Sequence, residues 1–122
     1  FSNPPVFKVM SARISGELAI WPTNNRMVGI LEDAGLNVGV GAYSIRILDC
    51  EHFVFQEYGG DLGDPSVDAD ADTVEGMLRD AQIVSDALSR AEVKHRFAIY
   101  DDHDELHGYL HYHWPMKEAS DS

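Results

Sequence analysis

The run "LHGYLHYHWP", residues 106–115, sets His107, His111 and His113 among aromatic side chains. Imidazole can ligate a metal or move a proton, so spacing decides what such a run could do. On an extended strand His111 and His113 share a face, about 6.5–7 Å apart, and could converge on one ion. His107 lies too far along the strand to join them. Zinc sites ordinarily take three or more ligands from the protein, and no second Cys/His cluster supplies them. His52 and His95 could do so only through the fold. His111 and His113 are thus the metal-ligating candidates and Zn the ion they would suit; a polar, partly solvated strand face is the simpler expectation.

The same alternation places His107, Tyr109, His111 and His113 on one side. Leu106, Gly108, Leu110, Tyr112 and Trp114 lie on the other, apolar side. A turn centred on Asp102-His103 would set Phe97 opposite Gly108 and Ile99 opposite Leu106. Arg96, Ala98 and Tyr100 would then join the histidines.

A second run, "VDADADTVE", starts like a calcium loop with Asp68, Asp70 and Asp72. Its sixth position is Thr73 instead of Gly and its twelfth Arg79 instead of Glu, so that reading fails. Asp70-Ala71-Asp72-Thr73-Val74 resembles the aspartate motif of haloacid dehalogenase-type phosphatases. In that family a hydrophobic strand precedes the motif, whereas residues 59–72 read here as a glycine-, proline- and aspartate-rich acidic loop. Capping and dipole complementarity at a helix start explain the aspartates.

Cys50 stands between Asp49 and Glu51, which disfavour a thiolate, although His52 could project beside it. "GVGAYS" lacks the lysine and following helix of a phosphate loop, and no nucleophile elbow is present. No catalytic residue is named on this basis.

The elements that must position these side chains follow from periodicity. Residues 6–20 read as two strands around a Ser15-Gly16 turn, ended by Trp21-Pro22. Met27, Ile30, Leu31 and Ala34 form a helical stripe, capped at Asn24 or Asn25 and stopped at Gly35. Tyr43, Ile45 and Ile47, then Phe53 and Phe55, mark two antiparallel strands. A helix starting at an Asp72 cap carries Val74, Met77, Leu78, Ala81, Val84 and Leu88 to about Ala91. The last segment is a hairpin, and residues 116–122 read as a disordered tail. The expectation is a single α+β domain of order ββαββαββ: a mainly antiparallel sheet with both helices packed on one face, two layers deep, neither helix being a parallel crossover.

Charge bounds the partners. The chain of 122 residues has 9 Lys plus Arg against 21 Asp plus Glu, a net −12. Residues 61–122 hold five of the bases and fifteen of the acids. Such a field repels phosphate backbones, so nucleic acid is not expected as a partner, and no apolar run is long enough to cross a bilayer. A single cysteine leans towards a reducing, cytoplasmic setting. A basic protein partner is expected, contacted by Asp61, Asp64, Asp68, Asp70, Asp101, Asp102, Asp104, Glu105 and Tyr109, with no cofactor needed.

In overall look the chain resembles small acidic bacterial inhibitor or immunity proteins that neutralise toxins, a resemblance no motif carries. It implies a non-enzymatic binding or regulatory role. The alternatives are a metal-assisted enzyme using His111 and His113, or a homodimerising module.

Overall fold

The computed structural model describes residues 11–59 and 64–113. Along the chain these form β1 (Ala12–Leu18), α1 (Asn24–Asp33), β2 (Val38–Val40), β3 (Ser44–Ile47), β4 (His52–Gly59), β5 (Asp64–Ala71), α2 (Val74–Arg90), β6 (His95–Asp101) and β7 (Leu106–Tyr112). Among the described residues the strands make one seven-stranded sheet, β2-β3-β4-β5-β1-β6-β7, with every neighbouring pair antiparallel. The fold is therefore mixed helix and antiparallel sheet, in an order that differs from the expected one.

Two differences matter most. Within the expected acidic loop of residues 59–72, Asp64–Ala71 is instead a strand, β5, held between β4 and β1. Val67 and Ala69 are buried there while Asp68 and Asp70 are exposed, an alternation of period two. Alanine is a weak strand former, but here it faces Phe53 across the pair and Ile14 on the other side, where bulkier side chains already fill the space.

Nor do Ser15 and Gly16 turn. They lie inside one straight strand whose Ala12, Ile14 and Leu18 are buried. A Cβ on Gly16 would sit 2.9 Å from Phe97 Cδ1 and 3.0 Å from the Arg96 carbonyl oxygen, so close approach of β6 is what excludes a side chain. Residues 6–10 of that expected pair of strands fall outside the described residues.

Because β1 is antiparallel to both its neighbours, β5 and β6 run the same way, and α2 joins them across β1. This corrects the expectation that no helix is a crossover; it is a split β-α-β arrangement. Both helices begin at a threonine rather than at the expected Asn or Asp caps. Thr23 Oγ1 accepts the Arg26 amide at 3.1 Å, and Thr73 Oγ1 accepts the Gly76 amide at 2.9 Å. Gly35 ends α1 with φ +86, as its type predicts.

Met27 and Leu31 of α1, and Met77, Ala81, Val84 and Leu88 of α2, are buried in one cluster with Ile14, Ile45, Phe53, Phe55, Val67, Phe97 and Ile99. These strand residues share one parity. The other parity carries Arg13, Ser15, Asp68 and Asp70. No helix among the described residues is long and apolar enough to cross a membrane.

Candidate functional site

The register brings distant loops to one end of the sheet. Ala12, the first residue of β1, pairs with Ala71 at the end of β5 and with Asp101 at the end of β6. His52, the first residue of β4, pairs with Asp70. The β3–β4 turn, the β5–α2 junction and the β6–β7 turn therefore meet. They and the adjoining strand ends carry Asp49, Glu51, Asp70, Asp72, Asp101, Asp102, Asp104 and Glu105, with Asp80 of α2 alongside and Arg13 and Arg79 as nearby cations.

Two hollows adjoin there. One of about 480 Å³ is lined by Arg13, Asp70, Asp72, Asp101 and Asp102. Its neighbour, about 240 Å³, is lined by Asp49, Cys50, Glu51, Asp72 and Asp80, and the two share Ala71 and Asp72.

Asp101 organises the hairpin side. It is fully buried. Its Oδ1 accepts the amides of His103 at 2.8 Å and Glu105 at 3.0 Å, and its Oδ2 lies 2.6 Å from His107 Nε2. The His107 hydrogen bond first, and the two amides after it, hold its carboxyl down to about 2. Asp104, at φ +64, closes the turn and pairs with Arg13 at 2.8 Å. Arg13 also donates to the Asp101 carbonyl at 3.3 Å and lies over the Tyr100 ring.

This turn changes the expected hairpin register. Phe97 faces Leu110 and Ile99 faces Gly108, then the pairing shifts so that Tyr100 faces Leu106. His107 is the extra residue of that bulge. It leaves the face of Tyr109 and His111 and turns to Asp101. Leu106, expected in the core, is 57% exposed. Gly108, Leu110 and Tyr112 keep the inner side.

Crowding shows at the other hollow. The Glu51 carboxyl is raised by the charge of Asp72 and a hydrogen bond with it, then by burial, Asp70 and Asp80. Cys50 is pushed up to about 12 by burial, by the charge and hydrogen bond of Asp80, and by Asp49. These surroundings favour the thiol over the thiolate. Asp49 goes the other way: its carboxylate accepts the Asn37 amide at 2.6 Å and the Asn37 side chain at 3.0 Å, which lower it.

Of the residues expected to contact a partner, Asp70, Asp101, Asp102, Asp104 and Glu105 come together here. Asp68 lies mid-strand between Ser15 and Val54, and Tyr109 opposite Ala98. Asp64 begins β5, at the far end of the sheet, and Asp61 falls outside the described residues. Glu51, Asp72 and Asp80 join the site without having been singled out as contacts. Only the pairing of strand ends unites them.

His111 and His113 acquire no third ligand among the described residues. His111 faces Arg96, and His113 leaves the strand at φ +45, which breaks the alternation that would align the two. The one described group of three ligand-type side chains is Asp101, Glu105 and His107. Ligands on a tetrahedral ion at 2.0–2.1 Å stand about 3.3 Å apart. Asp101 and His107, at 2.6 Å, bond each other instead.

Compared with known proteins, the chain matches no family model, and no curated protein or solved structure matches it. What fold and site define is a class only: a mixed helix–sheet protein with an acidic end.

Proposed function

We propose that this is a small acidic binding or regulatory protein, not an enzyme, whose acidic end engages a basic protein partner in the manner of an inhibitor or immunity-type protein. The observation that carries the reading is Glu51 against Asp72. Two carboxyls share a hydrogen bond, with Asp70 and Asp80 near enough to raise Glu51 further. Carboxylates crowded without enough cations repel one another, and an incoming guanidinium or ammonium would relieve that repulsion.

Exposed Asp102, Asp104 and Glu105 extend the surface, while Asp101 positions the turn that presents them. Such a field speeds encounter and selects partners more than it adds affinity. In this reading the two helices form one layer on the inner side of the sheet, leaving the strand ends free. The single core shared by α1, α2 and the inner strand residues supports it.

The test is photo-crosslinking in the source cell from position 105, with position 82 on exposed α2 surface as control. Position 105 is expected to capture a basic protein, position 82 not, and Glu51→Gln with Asp72→Asn to abolish capture. A neutral or acidic partner at position 105, or capture indifferent to those substitutions, would overturn the proposal.

A further inference from the structure

The opposite end of the sheet holds a different kind of hollow. About 320 Å³ opens between the chain leaving β1, the start of α1 and the turn joining α2 to β6. Ala19, Ile20, Pro22 and Val93 give it apolar walls, and Arg26 and Lys94 bring positive charge. Mostly apolar walls with a few convergent polar groups, at this volume, are the usual make-up of a small-molecule site.

Two things are left over at this place. Ile20 is 75% exposed, although the Ala19 amide ties its segment to the Lys94 carbonyl at 3.0 Å. Among the described residues neither Arg26 nor Lys94 makes an ion pair; the Arg26 guanidinium donates only to the Ala91 carbonyl, at 3.2 Å. In a chain where acids outnumber bases 21 to 9, two cations against one carboxylate beside a hollow are unexpected. Glu92 also lines the hollow, from a backbone at φ +61, and pairs with neither. Apolar surface and a net positive charge of one lie side by side, so a complementary occupant has an apolar body and one negative end.

We infer that this hollow binds small carboxylates with a compact aryl or branched-alkyl body of roughly ten heavy atoms. The apolar body covers Ile20, Pro22 and Val93, and the carboxylate meets Lys94 and Arg26 in charge-assisted hydrogen bonds. The inference is independent of the partner proposed for the acidic end.

Phenylacetate, its neutral isostere phenylacetamide and phenethylamine, titrated into the ¹⁵N-labelled full chain, test it. Phenylacetate should shift the amides of Ala19, Ile20, Val93 and Lys94 saturably. Phenylacetamide and phenethylamine should bind at least about five-fold more weakly. Lys94→Gln, at an exposed position, should cost phenylacetate about three-fold or more and leave phenylacetamide unchanged. No saturable shift up to about 20 mM, equal binding of acid and amide, or shifts mapping elsewhere would each overturn the inference.

Discussion

Asp101 and His95 stand at the two ends of β6, both fully buried on its inner side, and their neighbours hold them in opposite states. Asp101 faces donors: two amides and His107. It therefore keeps its charge, with its carboxyl down to about 2. His95 faces one obligatory acceptor. Its Nδ1 lies 2.8 Å from the Val93 carbonyl oxygen, so that nitrogen carries the proton; Nε2 is then free to accept from the Ser85 hydroxyl at 2.7 Å. Burial lowers its pKa, and the ring is neutral. Two residues equally closed to solvent thus end up charged at one end and uncharged at the other. At Asp101 the donors outweigh desolvation, whereas at His95 desolvation outweighs the Val93 carbonyl.

Asp101→Ala should break this comparison most severely. It frees the His103 and Glu105 amides, releases His107 and undoes the turn that carries Asp102, Asp104 and Glu105. The urea midpoint should fall further than for any other single polar-to-alanine change at this end, with amide-exchange protection lost through the β6–β7 turn. Asp101→Asn, which still accepts from the amides, should fall between it and the wild type. The pH dependence follows the sign of the shift. Because the folded carboxyl titrates below its unfolded value of 3.8, its stabilisation is present above about pH 4 and lost as pH falls towards 2. If Asp101→Ala left the midpoint where Asp104→Ala leaves it, Asp101 would not be the organiser of this end.

Ser85→Ala comes next. It leaves His95 Nε2 without a donor in the core, which costs roughly 1–3 kcal/mol. Replacing both partners, Ser85→Ala with His95→Leu, should recover part of that loss, because no unsatisfied group remains. Here pH acts earlier than at the acidic end. The folded imidazole titrates below 6.5, so the unfolded chain takes up the proton first, and the stabilisation present above pH 6.5 declines below it. Denaturation midpoints between pH 7 and 5 check this. A slope that survives in His95→Leu would remove His95 as its source.

How far these two ends could be read from sequence differs for physical reasons. The terminal hairpin is legible, since the large apolar Phe97 and Ile99 alternate with Arg96, Ala98 and Tyr100, and Gly108, Leu110 and Tyr112 answer them. Its register is not, because Asp101 builds a four-residue loop through side-chain bonds and puts Asp104 at φ +64; a two-residue turn is the default where no such bond is foreseen. β5 hides behind alanine and aspartate, both poor strand formers, though the strict alternation from Val67 to Ala71 was there to be counted. The acidic end itself was half legible. Asp101 to Glu105 are adjacent in sequence, but Glu51 and Asp72 reach them only through pairings of β1 with β5 and β6, and of β4 with β5, and Asp80 only where α2 packs beside the β3–β4 turn. Arg26 and Lys94 meet for the same kind of reason and leave no sequence signal.

The smallest expected effect separates the ends by sign. β1 is tied to the acidic end by Arg13–Asp104 and to the other end by Arg96–Glu17, both at 2.8 Å, the first exposed and the second half-buried. Pairs of this kind contribute roughly 0.2–1 kcal/mol. Asp104→Asn loses one such pair but also withdraws a charge from a crowd of carboxylates, so stability should stay level or rise slightly. Glu17→Gln loses its pair where Lys94 and Arg96 lie near the same strand ends, with no such crowd to relieve, so stability should fall. The contrast should shrink as salt screens both fields, which marks it as electrostatic rather than a matter of packing. Low-salt denaturation of the two variants decides it: equal signs would mean that the ends differ in composition but not in field.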